Sequence, residues 1–125
     1  MPSLPAFFAV HQPAITRALD AFVPAGAQGP VADAMRYTLL APSKRVRAVL
    51  VLLSAELCGS SARALPAACA VEAIHAASLI LDDLPSMDDA PLRRGQPSAH
   101  VKFGDAVAIL AAFGLLSDAY RHLAV

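Results

Sequence analysis

The chain has 125 residues, enough for one small domain, with 57% hydrophobic and only 16% charged residues and a mean hydropathy of +0.54. Ten Lys and Arg cancel ten Asp and Glu, so there is no basic footprint for nucleic acid. So apolar a chain of this size implies either surface buried against another chain or a fold that continues beyond it.

Ala and Leu dominate and no β-alternation of useful length occurs, so the chain reads as all-α, a single helical domain over residues 1–125. The first ten residues lack a basic n-region and hold Pro2 and Pro5, so no secretory signal is expected. A first helix is predicted over residues 5–22, with Pro5 in its first turn. Pro24, Gly26, Gly29 and Pro30 make a loop, and residues 31–40 a short second helix. Pro42 breaks the chain and Ser43 is the expected N-cap of a third helix over residues 44–57, which Gly59 terminates. A fourth helix is predicted over residues 65–83, stopped by Pro85. A basic loop covers residues 91–97. Gly104 or Asp105 opens a fifth helix running toward Val125. No Gly, Pro or Asn stops that helix, which reads as part of a larger bundle, with fraying or a designed terminus as the alternatives.

Cys58 and Cys69 lie in apolar helical stretches and read as buried thiols in a reducing compartment, with a disulfide as the alternative. The greasiest runs, residues 48–55 and 106–116, are shorter than the roughly 20 apolar residues a membrane span needs. The expectation is a cytoplasmic protein without stable membrane insertion.

The densest chemistry lies at the end of the fourth helix. Asp82-Asp83 and Asp88-Asp89 follow an apolar run, and Arg93-Arg94-Gly95 comes just after. Four carboxylates in so short a stretch repel one another unless a hard cation or water screens them. Mg²⁺ takes oxygen ligands and shares its shell with substrate phosphates. Nearby arginines offer forked donors to phosphate oxygens. The reading is a site for a magnesium-chelated diphosphate; the competing one is a solvated helix end and turn.

Glu72, His75, Leu79 and Asp82 are spaced three, four and three apart, so they are expected on one helix face. His75 alone on such a helix would pass for a satisfied core histidine. Lys44 and Arg47 are expected to face one way at the start of the third helix, with Arg45 pointing elsewhere. The backbone amides of that helix start favour an anion, so the pair can hold a second phosphate group; a solvated helix end is the alternative.

The run EAIHAASLILDDLPSMDDAPLRRGQPSAH, residues 72–100, resembles the first aspartate-rich region of the trans-isoprenyl diphosphate synthases, the polyprenyl synthetase family. The four-residue spacer between Asp83 and Asp88 resembles the bacterial and plant form, and the stretch VAILAAFGLLSDAY looks most like carotenoid-pathway geranylgeranyl diphosphate synthases. The resemblance covers most of the chain from about Leu40 onward. It implies the N-terminal helices of an all-α bundle, incomplete here, from an enzyme that joins isopentenyl diphosphate to an allylic diphosphate, typically as a homodimer. It implies that Asp82, Asp83 and Asp88 bind Mg²⁺, with Asp89 as a helper. Arg93 would contact the allylic diphosphate, and Lys44, Arg47, His75 and Arg94 would hold isopentenyl diphosphate. Ala77 and Ser78, one turn before the first aspartate, would set product length, their small size favouring a twenty-carbon or longer product. The chain departs from the family in having Pro42-Ser43 where two glycines are usual and Ala48 where proline is usual, and it lacks the second aspartate-rich motif. The alternative to an enzyme is a truncated, non-catalytic partner of a full-length synthase.

Overall fold

A computed structural model describes residues 3–124. Six helices and one small hairpin follow in the order α1 (Leu4–Asp20), α2 (Pro30–Leu39), α3 (Val46–Leu57), α4 (Leu65–Asp83), β1 (Leu92–Arg93), β2 (Gln96–Pro97), α5 (Ala99–Phe103) and α6 (Asp105–Leu123). The all-α reading holds, and α4 spans the expected residues. The Ser3 hydroxyl caps α1, accepting from the Ala6 amide at 3.4 Å. Gly29, at φ 104°, turns the chain into α2, where Pro30 takes the first helical position. Arg36 then ties the preceding loop down, its Nη2 donating to the carbonyls of Pro24 and Ala27, each at 2.8 Å.

The start of α3 differs from the expectation. The helix begins at Val46, its N-cap is Arg45, and Lys44 lies outside it. Ser43 does not cap the helix; its Oγ accepts from the Arg45 amide at 3.1 Å in a local turn. Arg45 takes a left-handed conformation, φ 56° and ψ 37°.

Two further elements were not expected. The basic loop is an antiparallel hairpin pairing Leu92 with Pro97 and Arg93 with Gln96. Its two-residue turn, Arg94-Gly95, has φ of 52° and 80°, as a type I′ turn requires. The short α5 precedes α6, and Gly104 at φ 87° joins them, its amide closing α5 on the His100 carbonyl at 2.9 Å. The last turn of α6 ends at Leu123 with Ala124 as cap; the expected continuation to Val125 falls outside the described residues.

The core centres on α4, which packs most extensively along α6 and also touches α1, α2, α3 and α5. Ala68, Ala70, Ala73, Ala76 and Ala77 are buried on α4, and Ala108, Ala111, Ala112 and Ala119 on α6. Such small side chains let two helix backbones approach closely. Phe22, Ile15, Leu19, Leu39 and Leu115 supply the bulk. Both cysteines are free; Cys69 is buried as expected, but Cys58 is exposed because it caps the end of α3. The apolar runs noted in the sequence are short, yet α4 and α6, with 19 residues each, are long and apolar enough to cross a membrane by length and composition. α4 is nonetheless a core helix. Leu110, Phe113, Tyr120 and Leu123 leave an apolar surface on α6.

Candidate active site

A cleft of about 120 Å³ opens between the end of α2, the chain entering α3, the middle of α4 and the hairpin. Glu72, His75, Ala76, Leu79, Ile80 and Asp83 line it from α4, Arg45 from the α3 entry, and Arg93 and Arg94 from the hairpin. The expected face ended at Asp82; in the structure it ends at Asp83. Eleven residues make about three helical turns, so Asp83 stands within about 20° of Glu72, whereas Asp82 is about 80° away. Asp83 is accordingly buried and Asp82 exposed.

Asp83 is held by Arg93 in a forked pair, Nε to Oδ2 at 2.7 Å and Nη2 to Oδ1 at 2.8 Å. That hydrogen bond, opposed by partial burial, raises the Arg93 pKa further, with the charges of Asp83, Asp82 and Asp88 adding to it. One guanidinium thus stands among three of the four aspartates. In the structure Arg93 and Asp83, read from the sequence as phosphate and metal ligands, satisfy each other.

Among the described residues no three His, Cys, Asp or Glu side chains converge as a ready metal cage. The donor set still fits Mg²⁺, which uses one or two carboxylates and leaves the rest of its shell to water and phosphate. Asp82 and Asp88 are both exposed, and the Asp88 amide donates to the Asp82 carbonyl at 2.8 Å, folding the second aspartate pair back beside the first. The Asp89 and Ala90 amides continue this wrap onto the Leu84 and Asp83 carbonyls at 3.0 and 3.1 Å. Asp89 is exposed and left-handed at φ 48°, which an aspartate tolerates.

A positive group lies on the other side of Arg93. Arg94 donates from Nη1 to the Pro42 carbonyl at 2.8 Å, which fastens the hairpin to the α3 entry. Tyr37 fastens it from α2, its hydroxyl donating to the Pro97 carbonyl at 2.7 Å. Ser98 closes the loop base, donating from Oγ to the Ala90 carbonyl at 2.6 Å. Lys44 and Arg47 are exposed on either side of the buried Arg45. Lys44 is further set by Gln12, whose Nε2 donates to its carbonyl at 2.6 Å. Burial lowers the His75 pKa, and Arg47, Arg94 and Arg93 lower it further, against Glu72, which raises it. Arg47 and Arg94 therefore set positive charge beside the His75 ring, a charge that an anion would relieve.

The expected anion contact with the α3 amides is altered. The Glu72 carboxylate reaches from α4 and accepts from the Ala48 amide at 3.1 Å, occupying part of that helix terminus. Glu72 and Arg45 are the residues whose roles sequence reasoning missed. The proposed length-setting residues are not in the cleft: Ala77 is fully buried, and Ser78 is exposed with its hydroxyl donating to the His75 carbonyl at 2.7 Å.

The lowered pKa of His75 gives a testable sign. The folded state resists protonation here, so as pH falls through about 6.5, the ordinary histidine value, the unfolded chain takes up more protons and stability falls. An NMR titration of the folded chain is expected to find the His75 midpoint below that value; a midpoint at or above it would contradict the geometry.

The polyprenyl synthetase family model matches residues 28–125. The chain belongs to this family. Among characterised polyprenyl synthetases it is 53% identical over 111 residues to the chloroplastic heterodimeric geranylgeranyl pyrophosphate synthase large subunit 1 of Arabidopsis thaliana, covering 88% of this chain and 30% of that protein. It is 52% identical over 114 residues to the geranylgeranyl diphosphate synthase of Pantoea ananas, covering 88% of this chain and 38% of that one. The fold superposes on the geranyltranstransferase of Thermotoga maritima with a TM-score of 0.87 at 33% identity, covering 94% of this chain and 44% of that structure. A farnesyl/geranylfarnesyl diphosphate synthase from Zymomonas mobilis gives 0.88 at 34% identity, covering 98% and 45%. The chain thus spans 30–38% of the length of these two curated relatives.

Proposed function

We propose that this polyprenyl synthetase chain takes part in trans-prenyl transfer, joining isopentenyl diphosphate to an allylic diphosphate to give geranylgeranyl diphosphate or a related product. The observation that carries this reading is one cleft lined along α4 by His75 and Arg94, with Arg47 close by, toward one end and by Asp83 with Arg93, beside the other aspartates, toward the other. The positive group suits a diphosphate that needs no metal, here isopentenyl diphosphate, with Lys44 beside it. The aspartates, chiefly Asp82 and Asp88 as exposed donors and Asp83 once released from Arg93, would hold Mg²⁺. Bound there, Mg²⁺ would neutralise the diphosphate leaving group of the allylic substrate. Arg93 can turn from Asp83 toward that diphosphate and stabilise the charge that develops as the C–O bond breaks. Apolar Ala76, Leu79 and Ile80 between the two groups keep water from the carbocation.

A cytoplasmic homodimer is the assembly proposed. The Arabidopsis relative named as the large subunit of a heterodimeric synthase fits a second reading, in which this chain works beside a partner subunit, and a truncated, non-catalytic partner of a longer synthase is the form of it proposed here. The test is calorimetric binding of isopentenyl diphosphate, and of farnesyl diphosphate with Mg²⁺, followed by product analysis, with Asp82→Ala/Asp83→Ala as control. Binding of both with geranylgeranyl diphosphate formed, and lost in the control, is expected. Binding without product would favour the partner reading. A folded chain that binds neither diphosphate would sink both.

A further inference from the structure

The Arg45–Glu72 pair is buried and belongs to neither charged group. Arg45 is 7% exposed and Glu72 4%, with Nη1 and Oε2 3.7 Å apart. Each is pinned further. The second Glu72 oxygen accepts from the Ala48 amide at 3.1 Å, and Arg45 Nη2 donates to the Ala41 carbonyl at 3.2 Å. Glu72 thereby caps a helix it is not part of, while Arg45 holds both sides of the bend between α2 and α3. A left-handed non-glycine residue is strained and persists only where its surroundings impose it. Here the buried pair imposes it. Buried ion pairs contribute little net stability against apolar replacements, so stability alone is a weak reason for this one.

Its geometric effect is specific. With Arg45 turned inward at the N-cap, its neighbours Lys44 and Arg47 are left exposed, and Arg47 stands close enough to His75 for its charge to act on the imidazole. Glu72 lies one helical turn before His75 on α4. The same carboxylate therefore fixes the α3 entry against the turn that carries His75. We infer that Glu72 and Arg45 are positioning residues for isopentenyl diphosphate, acting as a strut that sets Lys44 and Arg47 against His75. This rests on the assignment of that substrate made above.

The test compares Glu72→Gln, Arg45→Lys and the double variant Arg45→Met/Glu72→Leu with the parent chain. The readouts are calorimetric affinity for isopentenyl diphosphate in metal-free buffer, affinity for farnesyl diphosphate with Mg²⁺, and the thermal midpoint. Misplacement of about 1 Å is enough for large losses at such a site, so Glu72→Gln and Arg45→Lys are expected to weaken isopentenyl diphosphate about tenfold, leaving farnesyl diphosphate within about twofold. The apolar double variant is expected to regain the parent's thermal midpoint without regaining that affinity. A double variant that binds isopentenyl diphosphate like the parent would reduce the pair to packing and overturn the inference, as would equal loss of both diphosphates in the single variants. Arg47→Ala is the separate control: if it leaves isopentenyl diphosphate affinity unchanged, the substrate assignment itself fails, and the strut has nothing to position.

Discussion

Under the proposed function, Asp83→Ala is expected to cut product formation about a thousandfold, the upper range for losing one member of a preorganised electrostatic site. Two functions go at once. The aspartate group loses the carboxylate that faces the cleft, and Arg93 loses the fork that holds it at 2.7 and 2.8 Å. The fold should feel the change as well. The Asp83 side chain is 5% exposed but that of Arg93 is 35%, so water can take over part of the arginine's solvation, and a loss of about 2–3 kcal/mol is expected, below the range for a fully buried pair. Asp83→Asn keeps the shape and one acceptor oxygen; it should recover much of the stability and little of the turnover. Steady-state rates and urea midpoints for the two variants, measured side by side, decide the matter. An Asp83→Ala chain whose rate is within tenfold of the parent's would remove Asp83 from the proposed reaction.

Ala77→Phe is expected to destabilise the chain by about 3 kcal/mol or more, the upper end for overpacking a core. Ala77 has no exposed surface and sits on a helix whose main contact, with α6, is lined by alanines on both sides. A phenyl ring there must displace packed core neighbours before it can touch a growing prenyl chain. Ser78 differs, since its side chain already faces out. Ser78→Phe should move the urea midpoint by no more than about 0.5 kcal/mol, as exposed substitutions usually do. If side-chain bulk before the first aspartate shortens the product, Ser78→Phe is the variant in which that effect can be read without loss of folding. Denaturation curves for the two variants, with product chain length for Ser78→Phe, separate these effects. An Ala77→Phe chain as stable as the parent would show that the core around α4 is looser than its burial implies.

α4 was legible end to end because its apolar run is long and Pro85 follows its C-cap. The bundle class was legible for the same reason. What failed did so where a distant residue decides a local choice. Ser43 has the right chemistry for an N-cap, yet Arg45 takes that place because Glu72, distant in sequence, binds it. Adjacent carboxylates differ in fate through helix phase alone: about 100° separates Asp82 from Asp83, and only the inward one meets Arg93. The hairpin was missed because its strands have two residues each, too few for any alternation to register, and because Arg-Gly is a weaker turn signal than Asn-Gly. Its turn glycine was the available clue. α5, five residues long, is below the length at which helical periodicity can be read.

The charged groups along α4 have a metric consequence. Eight residues separate His75 from Asp83 on one unbroken helix, a rise of about 12 Å that its backbone hydrogen bonds do not allow to shorten. α4 is therefore a ruler. Under the proposed function, two diphosphate heads anchored at its marks keep a set separation however long the hydrocarbon tail becomes. The reacting carbons must close the gap from the substrates' side, by how each molecule extends from its anchored head, and successive additions can reuse the same two anchors without resetting the protein.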